Sequence, residues 1–131
     1  MSNEQEKGTW RLQEKTETIN NQKTEENMLQ INDSNYEELV SQNKPMVLDF
    51  WATWCGPCKK VAPIVEALAN DYEGQAIIGK VDIEESEDLP MKFGVRNIPT
   101  ILFIKNGEVV DKQVGAAPRP VLEEKLKAIL Q

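Results

Sequence analysis

The stretch Asp49-Phe50-Trp51-Ala52-Thr53-Trp54-Cys55-Gly56-Pro57-Cys58-Lys59 decides how this chain folds. It closes the nearly unbroken apolar run Met46-Val47-Leu48-Asp49-Phe50-Trp51, the mark of a strand covered on both faces. Beyond it, Val61, Ile64, Val65, Leu68 and Tyr72 recur at helical spacing. Lys59, Lys60, Glu66, Asp71 and Glu73 fall on the other side, so Cys58 to Tyr72 reads as a helix with one buried stripe. Pro63 lies inside that helix and is expected to kink it. The two cysteines therefore sit where a strand ends and a helix begins.

Working outward, strand and helix signals alternate. Met28 to Ile31 is a short apolar run, Asn32-Asp33-Ser34 a helix start, and Tyr36, Leu39 and Val40 the buried face of that helix. Ala76 to Ile83 reads as a strand and Glu84 to Phe93 as a short acidic helical stretch. Thr100 to Ile104 and Glu108 to Val114 flank Lys105-Asn106-Gly107. Asn-Gly between apolar runs signals a hairpin, because a type I′ turn needs positive φ at both central residues. Leu122, Leu126, Ile129 and Leu130 mark a terminal helix over Pro118 to Leu130. The order βαβαβαββα implies an α/β fold: one mixed sheet, parallel in the middle with an antiparallel hairpin at one side, sandwiched by helices. Residues 1–27 are polar, with only Trp10, Leu12 and Ile19 as large apolar residues beyond Met1. Such a segment buries too little surface to offset its ordering entropy, so a disordered or loosely attached tail is expected, with Trp10 exposed or intermittently packed. The folded domain is expected over 28–131.

Composition narrows the function. The chain has 131 residues, 40% of them hydrophobic, enough for the core of one domain. Fifteen Lys and Arg against 22 Asp and Glu leave a net charge of −7, which argues against nucleic-acid binding and against adsorption to an anionic membrane. No apolar stretch approaches the roughly 18–20 residues of a membrane span. There is no histidine, which excludes His-dependent triads and His-ligated metals. Two cysteines are too few for a disulfide framework or for a thiolate zinc site of four ligands, so no metal is expected. A cysteine pair completed by carboxylates, or shared between two chains, stays open at this point.

Cys55 and Cys58 carry chemistry of their own. A helix N-terminus presents unpaired N–H groups and about half a positive charge, which stabilises a thiolate. A spacing of three residues in a helical turn brings both sulfurs within bonding reach. Cys55, at the exposed end, is the candidate nucleophile. Cys58, one turn inside and shielded, is the candidate that resolves a mixed disulfide. Pro57 suits the first turn because its missing N–H would be unpaired there. The reaction implied is thiol–disulfide exchange, with Gly56 and Pro57 tuning the potential. Asp49, in an apolar strand, is expensive to ionise and should have a raised pKa. Read alone, it is equally a carboxylate that caps a backbone group. Lys80, read alone, snorkels to solvent, and Pro99 is a strand-initiating proline.

Residues 28–131 resemble thioredoxin over essentially its whole length. The resemblance rests on the segment 49–59, on Pro63, on Lys80-Val81-Asp82, and on Arg96-Asn97-Ile98-Pro99-Thr100. Lys105-Asn106-Gly107-Glu108 and Val114-Gly115-Ala116 add to it. It implies a three-layer α/β/α sandwich with a central mixed sheet, and a general protein-disulfide reductase acting through Cys55 and Cys58. It implies that Asp49 moves a proton to or from the inner sulfur, that Lys80 pairs with this acid from behind the site, and that Pro99 is a cis-proline against the disulfide. Trp54, Gly56, Ile98, Pro99, Gly115 and Ala116 then form the substrate-binding rim, with Trp51 packed beneath. Thr53 stands where many relatives carry an acidic residue, a departure that bears on partner preference and not on the chemistry.

The resemblance also implies no bound cofactor, a monomer, disulfide-containing substrate proteins, and thioredoxin reductase as the partner that delivers electrons from NADPH through its flavin. Other readings are a specialised reductase or oxidase of an oxidising compartment, and a thioredoxin-fold subunit used as a binding module. The first residues have neither the basic nor the apolar region of a secretory signal, so the cytoplasm is expected; a processed mature form would read the same.

Overall fold

The computed structural model describes residues 28–131. The expectations of a loosely attached tail and an exposed Trp10 fall outside the described residues. In chain order the elements are β1 (Leu29–Gln30), α1 (Tyr36–Val40), β2 (Met46–Trp51), α2 (Gly56–Asp71), β3 (Ile77–Asp82), α3 (Asp88–Lys92), β4 (Thr100–Lys105), β5 (Glu108–Val114) and α4 (Arg119–Ile129). They form one five-stranded sheet in the order β1-β3-β2-β4-β5. β1 and β2 run parallel to β3, while β4 is antiparallel to both β2 and β5. The parallel strands reach one edge of the sheet, where β1 lies, and the hairpin forms the other.

Strand parity builds the two cores. Val47, Ile78, Ile101 and Phe103 face α2 and α4, meeting Val61, Val65, Leu122 and Leu126. Met46, Leu48, Phe50, Val81, Leu102 and Ile104 face the opposite way, against Tyr36 of α1 and Leu89 of α3. Because both faces of β2 are covered, its residues alternate between two apolar layers. This is the reason its sequence shows no polar alternation. Asn106 and Gly107 have φ of 56° and 80°, as a type I′ turn requires, and Lys105 pairs with Glu108 across them.

Two local expectations shift. α1 starts at Tyr36, later than Asn32-Asp33-Ser34 suggested. The Asn32 carboxamide oxygen instead accepts from the N–H groups of Ser34 (2.9 Å) and Asn35 (3.1 Å), closing a turn before the helix. The acidic stretch 84–93 is helical only from Asp88. Asp82 ends β3 by accepting from Glu84 N–H (2.9 Å), and Asp33, 55 residues away in sequence, caps α3 with bonds from Asp88 (3.1 Å) and Leu89 (3.0 Å). α2 spans Gly56–Asp71 with Pro63 inside it. The proline there forgoes one backbone bond, which the helix's packed face offsets.

Gly79 makes the β1–β3 contact possible. A Cβ at this position would lie 2.7 Å from Ile31 Cδ1 and 2.8 Å from the Leu29 carbonyl oxygen. Gly79→Ala is expected to cost about 1–3 kcal/mol through overpacking, measured as a lowered urea midpoint with unchanged slope.

Candidate active site

Cys55 occupies the N-cap of α2 with extended backbone (φ −98°, ψ 111°), and its N–H donates to Ala52 O at 3.2 Å. Its Sγ accepts the N–H of Cys58 at 3.1 Å, so the sulfur takes the place of a capping oxygen. Cys55 and Cys58 form a disulfide, with 5.3 Å between their Cα atoms. Pro57 lies in the first turn, where no N–H is needed. No heavy atom would come within 4 Å of a Cβ at Gly56, so the surface beside Cys55 is open. The two cysteines and Ala52 form a small buried cluster against Trp51, Ile83 and Ile98.

The expected contrast between an exposed Cys55 and a shielded Cys58 is smaller than the sequence suggested. Cys55 is 5% exposed and Cys58 2%. In the disulfide, Cys55 Sγ is bonded to the sulfur of the first helical turn. What separates the two sulfurs is position: Cys55 precedes the helix and faces its unpaired N–H groups, while Cys58 is inside the first turn.

Asp49 lies on β2 between Val47, which packs under α2, and Trp51, which packs against the cysteines. It is 1% exposed and neither carboxylate oxygen has a hydrogen-bond partner. The alternative of a backbone-capping carboxylate is therefore set aside. Burial pushes its pKa up to about 7, and the Lys80 ammonium draws it partly back down. Lys80 is directly opposite Asp49 in the β2–β3 register. It does not snorkel to solvent: it is 2% exposed, with its Nζ 4.1 Å from the centroid of the Trp51 ring. The parallel register and the layer above it leave no outlet for the side chain.

Around this centre the Ile98–Pro99 peptide bond is cis. Ile98 is half-buried against the cysteines, and the Pro99 carbonyl accepts the Gly115 N–H at 2.8 Å. The start of β4 and the end of β5 are thereby tied together beside the site. Ala116 is exposed next to Gly115, outside the cluster around the cysteines. Trp54 is 64% exposed and its indole N–H donates to Glu84 Oε2 at 2.7 Å. Neither Glu84 nor Ile83 stood out in the sequence. Both belong to the turn after β3, which a parallel register carries to the cysteines. The only linear signal for them is their position just past a strand end. Among the described residues, no group of three His, Cys, Asp or Glu side chains is placed to hold a metal. No described helix is long and apolar enough to cross a membrane.

A disulfide on the N-terminal turn of a helix, backed by a buried acid and edged by a cis-proline, defines a thiol–disulfide oxidoreductase. The Thioredoxin family model matches residues 27–128. The chain is 45% identical over 95 residues to a thioredoxin of Chlorobaculum thiosulfatiphilum, covering 72% of this chain and 88% of that one. It is 48% identical over 96 residues to a thioredoxin of Haemophilus influenzae, covering 72% and 90%. It is also 46% identical over 98 residues to a chloroplastic M-type thioredoxin of Pisum sativum, covering 74% and 57%. The chain belongs to the thioredoxin family. Its activity is protein-disulfide reduction, and its redox group is the Cys55–Cys58 disulfide itself. The oxidase and binding-module readings are not favoured.

Asp49 also makes stability depend on pH. Its pKa is about 7 folded against an ordinary 3.8, so the folded state holds this proton more tightly. The resulting stability is fully present below pH ~4 and lost as pH rises through ~7. At about 1.4 kcal/mol per pH unit, the loss is about 4 kcal/mol. Asp49→Asn removes the effect, so its advantage in urea midpoint over the parent protein should grow between pH 4 and 8. A constant difference across that range would show that Asp49 is not the group responsible.

Proposed function

We propose that the protein is a general reductase of protein disulfides in which Cys55 attacks and Cys58 resolves. The observation that carries the reading is the capping sulfur: Cys55 Sγ accepts the first-turn N–H of Cys58 at the N-terminus of α2. An N–H donor and the helix dipole both favour the thiolate over the thiol. In the reduced protein the Cys55 thiolate attacks one sulfur of a substrate disulfide, forming a mixed disulfide and releasing the first substrate thiolate. Cys58 loses its proton and attacks Cys55 Sγ, which closes the Cys55–Cys58 bond and releases the second thiolate. Two electrons pass from the protein to the substrate.

Asp49 takes the Cys58 proton. With a pKa near 7 it is about half ionised at neutral pH, where a group exchanges protons most readily in either direction. Lys80 acts through Asp49, holding its pKa from rising further. Gly56 and Pro57 set how well the reduced pair is stabilised, and hence the potential. Trp54, Ile98, Pro99, Gly115 and Ala116 receive the substrate chain. Among the described residues, the N–H and C=O of Ile98 make no backbone bond and are free to pair with an extended segment. Electrons return from NADPH through a flavin-dependent thioredoxin reductase, which makes the protein an electron carrier in cellular redox homeostasis. A cytoplasmic setting suits a chain whose only cysteines are this reactive pair.

Insulin reduction by dithiothreitol tests the activity: turbidity should appear far sooner with this protein, and Cys55→Ser should abolish the acceleration. Cys58→Ser should accumulate a covalent adduct through Cys55, visible on a nonreducing gel; its absence would reverse or refute the order of attack. Asp49→Asn should slow closure of the mixed disulfide at least ~10-fold at pH 7 and leave the first attack unchanged, as read by rapid quenching of both steps.

A further inference from the structure

The sheet face shared with α1 and α3 is left uncovered at its β5 edge. α3 ends at Lys92, and the loop that follows it returns to β4 through Arg96 and Asn97. In the β4–β5 register Thr100 faces Val114 and Leu102 faces Lys112. Thr100 and Leu102 are buried, whereas Lys112 and Val114 are exposed. Between this strand pair and the loop lies a concavity of about 170 Å³, about six water volumes. Phe93 and Leu102 give it an apolar lining, while Arg96 and Lys112 bring a cation from the loop and from β5 respectively.

The residues that line this concavity adjoin those of the redox site along the chain. Asn97 and Thr100 bracket Ile98 and Pro99, and Val114 precedes the Gly115 whose N–H bonds to Pro99 O. The concavity also places two cations on the rim of an acidic molecule. The chain carries −7 overall, and the turn that holds Trp54 supplies Glu84, Glu85, Glu87 and Asp88. Of the other described cations, Arg119 pairs with Asp71 at 2.6 Å and Glu123 at 2.9 Å and Lys125 with Asp111 at 3.1 Å, while Lys44, Lys59, Lys60 and Lys127, like the two cations of the concavity, stand outside any ion pair with a described residue. Arg96 and Lys112 are in no ion pair with a described residue. Two unmatched cations on a pocket at the substrate rim of an acidic protein are complementary to an anionic segment.

We infer that this concavity docks an acidic stretch of the substrate polypeptide next to its disulfide, and that Arg96 and Lys112 select for it. The inference rests on the reductase function proposed above. Acidic residues on one side of the substrate cysteine meet the two cations. Acidic residues that fall instead against the Glu84–Asp88 turn, which Glu84 ties to Trp54, are repelled. The site therefore discriminates by the placement of charge as well as by its sign.

The test uses symmetrical disulfides of a short peptide with a single cysteine. Three glutamates precede the cysteine in one peptide and follow it in a second; a third has glutamines at both places. Peptide thiol is followed by chromatography with the full-length reduced protein. Each rate is divided by the rate with dithiothreitol, which cancels intrinsic reactivity. At low ionic strength one glutamate peptide should be reduced roughly threefold to tenfold faster than the glutamine peptide, and the advantage should shrink above ~0.1 M salt. In Arg96→Gln/Lys112→Gln protein the ratio should fall to about one. Equal normalised rates for all three peptides, or a preference that survives the double substitution, would overturn the inference. A protein that reduces none of the peptides would overturn the reductase reading itself, and the docking site with it.

Discussion

β2 is bonded to β3 on one side and β4 on the other, and helices cover both of its faces. A strand held in this way has no freedom to shift its register, because a slip by one residue would exchange the two apolar layers. The end of β2 at Trp51 therefore fixes where α2 begins, and with it the place of Cys55. The redox pair takes its position from the most constrained backbone in the molecule, although the pair itself lies at the surface end of a helix. The same constraint carries Asp49 into the core two residues before Trp51, on the face that α2 covers. A carboxylate there is 1% exposed and has no hydrogen-bond partner among the described residues, and burial holds its proton to about pH 7.

Stability depends on pH through that residue. An asparagine or an apolar side chain in this layer would make a more stable protein at neutral pH. Burial of Asp49 leaves in the core a group whose pKa lies near neutrality. Lys80 moderates the cost: directly opposite on β3 and stacked over the Trp51 ring, it keeps a positive charge near the acid within the same layer. The surface of the site is arranged by a different device, in which chain segments distant in sequence are tied by single bonds. Gly115 to Pro99 joins the two ends of the hairpin side, Trp54 to Glu84 joins the cysteine loop to the turn after β3, and Asp33 caps α3 from the loop after β1.

The fold class, the hairpin with its Asn106-Gly107 turn, the helix after the cysteines and the identity of the reactive pair were all legible in the linear chain. Each depends on residues close together in sequence: hydrophobic period, turn chemistry, or a three-residue spacing within one helical turn. Asp49 was also legible, since a lone acid in an apolar strand stands out. Helix boundaries were less so. The start of α3 is set by Asp33, and no local pattern announces a cap supplied from 55 residues away. Lys80 reads from its neighbours as a side chain with a route to water; only the packed layers show that the route is closed.

What the sequence by itself determined is the chemistry: two cysteines at a strand-to-helix junction, no histidine, no further thiols, and an acid where apolar residues belong. Those properties reside in residue types and short spacings, which survive in any fold that keeps the local elements. Only the tertiary structure decided the energetics and the neighbours. It buried Asp49 beside Lys80, hid Cys55 nearly as well as Cys58, brought Glu84 to Trp54, and opened a cationic concavity beside Pro99. Desolvation and cross-strand contact are properties of surfaces that meet in space, and a chain read in one dimension does not contain them.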